Sequence, residues 1–232
     1  MNPSEDAGAP MHIGLDGWCI GVKHLPSPNC DQRPADMAIN LLVIHNISLP
    51  PGQFGGGEIA ALFSNQLDCS AHPYFEQLRP LRVSAHFLID RQGMVTQFVA
   101  AGARAWHAGL SAFHERARCN DFSIGIELEG TDFEAFTELQ YRTLAQLTRA
   151  LKNAYPLTDV SGHEDIAPGR KTDPGPFFDW KHYQRLYEGY EVHTETAPPT
   201  RAESPSFALL PLPQVICGDG APPASRGLRF RR

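Results

Sequence analysis

Two segments of the chain have the hydrophobic pattern of β-strands. Residues 41–47, LLVIHNI, form a near-continuous apolar run rich in branched side chains, which predicts a strand that is buried on both faces. Residues 123–129, SIGIELE, alternate instead, so that the apolar side chains share one face and Glu127 and Glu129 share the other. The pattern therefore predicts a central strand that holds His45, and a second strand with two carboxylates on one face.

Three further segments have the pattern of helices. Residues 58–67, EIAALFSNQL, follow a glycine-rich turn and place their apolar side chains on one helical face. Thr137 and Gln140 have the spacing of a capping box, and apolar residues follow at helical intervals until Pro156, which predicts a helix between these points. A last helix is predicted to start near Asp179, because aromatic and leucine side chains recur there with helical spacing.

A polar turn with a glycine separates two apolar runs in residues 86–99, HFLIDRQGMVTQFV. This pattern predicts a hairpin with its turn at Asp90–Gly93. Strands and helices thus follow one another along the chain. That order predicts an α/β or α+β domain in which helices flank a mixed central β-sheet.

The length of 232 residues and the hydrophobic content of 42% suffice for one sizeable core. We divide the chain into a flexible N-terminal segment, 1–14, a single domain, 15–190, and a proline-rich tail, 191–232. The tail is predicted to be disordered, because its composition offers too few apolar residues for a core. Its basic end, RGLRFRR, is expected to be solvated, with a weak interaction patch as the alternative.

Charge and cysteine use limit the classes of partner. The formal net charge of -6 provides no basic footprint for a nucleic acid, so no nucleic-acid partner is expected. No stretch approaches the roughly 20 apolar residues of a membrane span. The five cysteines are scattered without a C-x-x-C pair, and MNPSEDAGAP does not have the pattern of a secretory signal. A reduced, cytoplasmic protein is expected.

His45, His163 and Asp173 are the candidate ligands of a metal ion. Zinc catalysis needs three protein ligands of imidazole or carboxylate type and one open position, where a water is acidified. The spacing differs from H-E-x-x-H, because Ala167 stands where that motif needs its second histidine. The ligands must therefore converge from separate segments. A core or surface role remains the alternative for each histidine taken alone.

The loop 168–176, PGRKTDPGP, places Lys171 two residues before Asp173 in a segment too rich in proline and glycine to be helical. An extended backbone would point both side chains the same way. Lys171 is therefore the candidate for stabilising an oxyanion that develops beside the metal ligand. The alternative is a surface turn with an incidental ion pair.

Glu127 is the candidate general base, because a carboxylate rarely occupies an otherwise apolar strand without a partner or a task. Glu129 is its rival on the same face. The alternative role for Glu129 is to accept hydrogen bonds from backbone amides or to pair with an arginine such as Arg118. No G-x-S-x-G elbow occurs, which argues against a serine nucleophile.

Six segments of the chain resemble one known family. They fall within residues 15–187 and comprise VIHNISLPPG from Val43, AHPYF from Ala71, LRVSAH from Leu81, RAWHAG from Arg104, CNDFSIGIELEGTD from Cys119 and RKTDPGP from Arg170. Together they resemble the AmpD family of cytoplasmic N-acetyl-anhydromuramyl-L-alanine amidases, within the amidase and peptidoglycan-recognition superfamily. The resemblance implies one zinc ion per chain, bound by His45, His163 and Asp173. It also implies Glu127 as the proton acceptor and Lys171 as the group that stabilises the transition state.

The resemblance implies a substrate as well. It implies cleavage of the amide between the lactyl group of 1,6-anhydro-N-acetylmuramic acid and L-alanine, a step in the recycling of cell-wall fragments. The expected partner is this small anhydromuropeptide, with no membrane and no obligate protein partner. Because the substrate carries several carboxylates, Arg82 and Arg118 are the candidate cations for binding it.

Four other residues of the matching segments are assigned roles around the site. Tyr74 and Trp106 are candidate flat walls for the sugar or the peptide, with core packing as the alternative. His86 and His107 are assigned structural roles, or roles in supporting the metal ligands from behind.

Two other functions remain as alternatives. The first is a non-catalytic peptidoglycan-recognition module, which would typically lack a full set of metal ligands. The second is an amidase that acts on intact peptidoglycan. The proline-rich tail is longer than such a domain requires, so its role stays open.

Overall fold

The computed structural model describes residues 11–189 and 227–231, which form strands, short 3₁₀ segments and four α-helices. The strands are β1 (His12–Ile13), β2 (Cys19–Ile20), β3 (Lys23–His24), β4 (Cys30–Asp31), β5 (Leu41–Ile47), β6 (Phe87–Ile89), β7 (Val95–Gln97), β8 (Arg104–Ala105), β9 (Ala112–Phe113), β10 (Arg116–Ala117), β11 (Ser123–Glu129), β12 (Asp159–Gly162) and β13 (Arg229–Phe230). The α-helices are α1 (Glu58–Phe63), α2 (Glu138–Ala154), α3 (His163–Ile166) and α4 (Trp180–Glu188).

The central sheet has seven strands in the order β13-β12-β5-β11-β6-β7-β3. The strands from β13 to β6 in this order are parallel to their neighbours, whereas β6 and β7 are antiparallel. In the register of β5 and β11, His45 is the partner of Glu127. A mixed sheet with flanking helices confirms the predicted fold class.

The two predicted central strands are confirmed with the bounds that the sequence indicated. All seven residues of β11 are buried, although the strand alternates apolar and polar residues. Ile124 and Ile126 pack in the main core with Leu144 and Leu147 of α2, and each buried aliphatic side chain of this kind contributes about 1.5–3 kcal/mol to folding. The opposite face of β11 carries Glu127 and is turned away from that core.

Helix α2 begins with the predicted capping box. The hydroxyl of Thr137 accepts a hydrogen bond from the amide of Gln140 at 3.1 Å, and Oε1 of Gln140 accepts one from the amide of Thr137 at 3.0 Å. The helix ends at Ala154, two residues before Pro156. Nε2 of Gln140 also donates to the carbonyl of Glu129 at 2.9 Å, which ties the start of α2 to the end of β11.

The other predicted elements are present with adjusted bounds. Strands β6 and β7 form the predicted hairpin, and Gly93 supplies the positive φ of 79° that its turn requires. Helix α1 ends at Phe63 and is shorter than predicted. Helix α4 follows Asp179, which caps it by accepting from the amide of His182 at 2.9 Å, and it buries Tyr183.

Residues 227–231 depart from the expectation for the basic end of the tail. They contain β13, which adds to the edge of the central sheet beside β12, and Leu228 is buried. The expectation of a solvated end is therefore wrong for these residues. Residues 1–10, 190–226 and 232 lie outside the described part, so the division into segments 1–14, 15–190 and 191–232 stays a prediction. Within the described ranges, no helix combines the length and apolar character needed to cross a membrane.

Candidate metal centre and active site

Three parallel strands place His45, Glu127 and His163 at the carboxyl-terminal end of the sheet. His45 and Glu127 are register partners on β5 and β11, and His163 follows directly after β12, which lies on the other side of β5. Residues near the carboxyl ends of neighbouring parallel strands lie at the same end of the sheet. Asp173 comes from the loop after α3, where its backbone carbonyl accepts from the amide of Glu164 at 2.8 Å.

The side chains of His45, His163 and Asp173 converge on one point. Nδ1 of His45 lies 3.0 Å from Nδ1 of His163. Oδ2 of Asp173 lies 2.9 Å from the first nitrogen and 3.0 Å from the second. Among residues 11–189 and 227–231, this is the one group of three histidine, cysteine or carboxylate side chains positioned to hold a metal ion. The structure thus brings together the three predicted ligands.

The hydrogen bond behind His163 fixes the position of its ring proton. Nε2 of His163 lies 3.1 Å from the carbonyl oxygen of Ala108. A carbonyl can only accept, so Nε2 carries the proton and donates it. Nδ1 therefore keeps a lone pair that points toward the other two ligands.

A longer chain of hydrogen bonds fixes the ring proton of His45. The hydroxyl of Ser123 donates to the carbonyl of Cys119 at 2.6 Å, so its oxygen is free to accept from Nε2 of His107 at 3.2 Å. Nδ1 of His107 is then an acceptor, and Nε2 of His45 donates to it at 2.9 Å. Nδ1 of His45, like that of His163, is left with a lone pair facing Asp173.

These three acceptor atoms face one another with no proton between them, which is unfavourable unless a cation lies there. Two imidazole nitrogens and a carboxylate oxygen are ligands that zinc and related divalent ions accept. Burial lowers the pKa of His45 to about 4, although Asp173 opposes this, so the imidazole is in the neutral, metal-binding form at neutral pH. Burial on its own would raise the pKa of Asp173. Hydrogen bonds and charge interactions with His163 and His45 outweigh this effect, so the pKa of Asp173 lies below its usual range. The residues present therefore fit a divalent metal ion.

Two more histidines lie behind the ligands. Nδ1 of His86 accepts from the amide of Gly125 at 3.0 Å, and its Nε2 lies 3.1 Å from the carbonyl of Ala103. The His107 ring packs directly on Gly125, where a Cβ atom would come within 2.5 Å of the ring. These contacts support the roles predicted for both residues, with His86 in the core and His107 behind His45.

Glu127 is buried, with one carboxylate oxygen that has no partner. The residue is 9% exposed, and its Oε2 makes no hydrogen bond within the described residues. Burial raises the pKa of Glu127 well above its usual value, the charge of Asp173 raises it further, and Lys171 lowers it. A carboxyl group in such surroundings is suited to accepting a proton.

Glu129 has partners on both oxygens. Oε1 accepts from the amide of Gly55 at 2.7 Å, and Oε2 accepts from the amide of Arg91 at 3.3 Å. This is the amide-binding role considered for Glu129 from the sequence. Arg118 does not pair with it, since its guanidinium lies 3.0 Å from Asp121.

An open groove of about 650 Å³ reaches the candidate metal centre at Asp173. Its lining includes two aromatic residues, two cations and a ligand: Tyr74, Phe133, Arg170, Lys171 and Asp173. Lys171 and Tyr74 were expected at the site from the sequence. Phe133 and Arg170 were missed, although Arg170 opens one of the matching segments and Phe133 follows directly after another.

The other three predicted substrate-binding residues do not line this groove. The guanidinium of Arg82 donates to two nearby backbone carbonyls, at 3.1 and 2.8 Å. Arg118 is engaged by Asp121, as described above. Trp106 is half-buried, and its amide donates to the hydroxyl of Ser84 at 3.1 Å. Of the four predicted residues, the structure thus brings Tyr74 alone to the groove.

The sequence also did not predict two hydrogen bonds made by Asn46 beside the ligands. Nδ2 of Asn46 donates to Oδ1 of Asp132 at 2.7 Å and to the carbonyl of Pro174 at 3.1 Å. Asn46 follows His45 directly and Pro174 follows Asp173, so this amide holds two ligand-bearing segments together. The position of Asn46 next to a candidate ligand was the available signal.

Comparison with protein families gives one match that covers the site. A family profile described as N-acetylmuramoyl-L-alanine amidase matches residues 35–176, which is more than half of the chain. This range contains all five residues proposed for metal binding and catalysis: His45, Glu127, His163, Lys171 and Asp173.

Individual relatives match over most of their length. The chain is 56% identical over 172 residues to the 1,6-anhydro-N-acetylmuramyl-L-alanine amidase AmpD of Escherichia coli (strain K12), covering 73% of this chain and 94% of that protein. It is 51% identical over 170 residues to AmpD of Haemophilus influenzae, covering 72% and 92%. The crystal structure of a Se-Met AmpD derivative superposes with a TM-score of 0.72 at 54% identity, covering 74% of this chain and 97% of the other.

Proposed function

Because the chain belongs to the N-acetylmuramoyl-L-alanine amidase family, we propose that it hydrolyses the amide between the lactyl group of 1,6-anhydro-N-acetylmuramic acid and L-alanine. The family resemblance predicted from the sequence is confirmed, and the chain is an amidase. Relatives that are 51% and 56% identical carry the anhydromuramyl activity in their names, which supports this substrate for the chain. The observation that carries the proposal is the convergence of His45, His163 and Asp173 next to an unpartnered Glu127.

Zinc is the ion proposed for the three ligands. The donor set fits a divalent ion, and both imidazoles present lone pairs because their Nε2 protons are engaged elsewhere. When bound, the ion supplies Lewis acidity for the amide carbonyl and the attacking water. Two histidines and one carboxylate would supply three protein ligands, which is the number typical of catalytic rather than structural zinc.

Glu127 is proposed as the general base. Its Oε2 makes no hydrogen bond within the described residues, and Glu127 is the register partner of His45, so we assign its carboxylate to the proton of an attacking water. Burial raises the pKa of Glu127, which makes the carboxylate a stronger base, and the protonated carboxyl can in turn pass its proton to the leaving amine. Glu129 is excluded from this role in our proposal because both of its oxygens already bind backbone amides.

Lys171 is proposed to stabilise the negative charge that develops on the carbonyl oxygen. Its side chain is exposed in the groove wall beside Asp173, and its charge is near enough to lower the pKa of Glu127. A fixed cation aimed at a developing oxyanion lowers the barrier, because its interaction strengthens as the charge forms.

The groove suits a ligand that has a sugar, a peptide and several carboxylates. Arg170 and Lys171 offer two cations to carboxylates in a lining that also includes Asp132, Glu134 and the ligand Asp173. The rings of Tyr74 and Phe133 are 38% and 85% exposed. Arg82, Trp106 and Arg118 stay predictions as binding residues. The cytoplasmic location likewise stays a prediction, which agrees with a substrate made of small recycled fragments.

Hydrolysis of purified substrates tests the proposal. The metal-loaded full chain is given anhydromuramyl tripeptide and, separately, the corresponding reducing-end muramyl tripeptide and intact peptidoglycan. We expect release of the stem peptide from the anhydro substrate, loss of turnover with a chelator, and recovery when zinc is added back. Binding of the anhydro ligand without cleavage would favour the recognition module, and faster cleavage of intact peptidoglycan would favour the other alternative.

A further inference from the structure

Residues 227–231, which we call the strap, bind the edge of the sheet through their backbone. The amide of Arg229 donates to the carbonyl of Thr158 at 2.8 Å, and the amide of Arg231 donates to the carbonyl of Val160 at 3.1 Å. Arg229 and Phe230 are the register partners of Asp159 and Val160 in parallel pairing. Strand addition of this kind supplies affinity from the main chain and specificity from alternate side chains.

One face of the strap is apolar and packs on α4. Leu228 is 9% exposed and belongs to the main core. The ring of Phe230 lies edge-on to Tyr183, with ring centroids 5.0 Å apart, and 5.1 Å from the ring of Tyr187. The strap therefore has its own buried anchor residues, as an interface does.

The other face of the strap carries two arginines, and each has acidic partners. The guanidinium of Arg229 makes two hydrogen bonds to Asp159, at 2.7 and 2.8 Å. Arg231 binds the carboxylate of Glu164, and its Nε lies 3.1 Å from Oδ1 of Asp165. Each of the four consecutive residues 228–231 thus has its own contact, apolar for the leucine and phenylalanine and acidic for the two arginines.

The partners of Arg231 also hold the metal ligands in place. Oδ2 of Asp165 accepts from the amide of Gly162 at 2.9 Å, which fixes the turn that precedes His163. The amide of Glu164 donates to the backbone carbonyl of Asp173 at 2.8 Å. The strap is therefore connected to two of the three ligands through the residues that its own arginine binds.

From these contacts we propose that the strap is a tethered peptide ligand of the β12 edge, and that its docking braces the turn carrying His163 and so tightens metal binding. Its occupant is this chain's own segment. The AmpD relatives are matched over 92–94% of their length by 170–173 residues of this chain, so they have little length left for a counterpart of the tail. The family profile that contains the five site residues ends at residue 176, so the strap contacts a site that is built from residues preceding it.

The test combines hydrogen exchange with a zinc competition. In the full chain, we expect the amides of Arg229 and Arg231 to be protected from exchange, and Phe230→Asp to remove that protection. Competition with a chromophoric chelator should then show zinc affinity falling by about threefold to tenfold, at or below the lower end of the 10–100-fold typical of partners that contact a ligand directly. Arg142→Ala is the control, because Arg142 forms a comparable exposed pair with Glu138 on α2.

Rescue separates docking from general damage to the fold. A synthetic peptide with the sequence RGLRFRR, added to the Phe230→Asp variant, should restore its zinc affinity, whereas a peptide with alanine in place of the phenylalanine should not. Unprotected strap amides in the unchanged protein would overturn the proposal. So would an undocked strap with unchanged zinc affinity, or a strap that docks by exchange between two chains, seen as a dimer in light scattering.

Discussion

Glu127 and Glu129 lie two residues apart on the same face of β11, and both are buried, yet their surroundings differ. Both oxygens of Glu129 accept hydrogen bonds from the backbone amides of Gly55 and Arg91. Glu127 has an oxygen with no partner within the described residues, and its pKa is raised by burial. The carboxylate of Glu129 thus has a structural role, whereas that of Glu127 is available at the candidate metal site.

Strand position alone therefore does not assign a role to a buried charge. The loops around Gly55 and Arg91 close over the Glu129 end of the strand and satisfy its carboxylate. At the Glu127 end, the neighbours are His45 on the adjacent strand and the charges of Asp173 and Lys171. A buried charge left without hydrogen bonds is costly, so its persistence points to a function that needs it.

The strongest test of this comparison replaces the free carboxylate. Glu127→Gln keeps the size of the side chain but removes its basicity, so kcat should fall by about 10²–10⁴-fold. Stability should be unchanged or higher, because burial disfavours the ionised form that the variant lacks. Stem-peptide release measured by chromatography, with metal content measured on the same samples, checks the result. Glu129→Gln is the matched control, and equal losses in both variants would contradict the distinction.

Lys171→Met should lower kcat without changing metal content or stability, because Lys171 acts at the Glu127 end of β11. Removing one group that stabilises an oxyanion typically costs about 10²–10³-fold in kcat. Zinc content and the unfolding midpoint should stay unchanged, because Lys171 is exposed and is no ligand. Lys23→Met provides the control at an exposed lysine on β3. An intact kcat with a raised KM would instead assign Lys171 to substrate binding.

Gly125, two residues before Glu127 on the same face, gives a smaller effect through His107. An added Cβ would lie 2.5 Å from the His107 ring, so Gly125→Ala must displace that ring from Nε2 of His45. Zinc affinity should fall by about 10–100-fold, as it does when a ligand loses its supporting hydrogen bond. Chelator competition measures this change. Gly102→Ala is the control, since its added Cβ would make an ordinary contact of 3.6 Å.

The smallest effect on turnover is expected at Glu129. Glu129→Gln weakens the charge-assisted bonds to Gly55 and Arg91, so the free energy of unfolding should fall by about 1–2 kcal/mol. Because no proton transfer is lost, the fold-loss in kcat should be at least about ten times smaller than the loss in Glu127→Gln. Denaturant unfolding and a kinetic assay on one preparation test both statements, and a stable variant without activity would reverse the roles given to the two carboxylates.

The sequence predicted the elements whose pattern is local. The apolar run around His45, the alternation through Glu127 and the capping box at Thr137 each specify a strand or a helix over a few residues, and all three are confirmed. The convergence of His45, His163 and Asp173 was also predicted, and there the family resemblance supplied the long-range information that spacing lacks.

The sequence failed where a residue depends on partners that are distant along the chain. Phe230 and its neighbours alternate as a strand does, but the edge that pairs with them belongs to β12, and nothing local identifies that edge. The pairing of Arg118 with Asp121 was likewise not predicted, and the role of Arg118 in substrate binding stays a prediction. The sequence named Glu127 rather than Glu129 as the candidate base, but it did not predict the backbone amides of Gly55 and Arg91 that bind Glu129.

The separation of the two histidine ligands links metal binding to folding. His45 and His163 are 118 positions apart, and their strands are adjacent only after the sheet has formed. An unfolded chain therefore presents no site, and an ion that binds the native state stabilises it by mass action. At a free concentration 100 times the dissociation constant, that contribution is about 2.7 kcal/mol. Scarcity of the ion would thus reduce the amount of folded protein as well as the activity of each molecule.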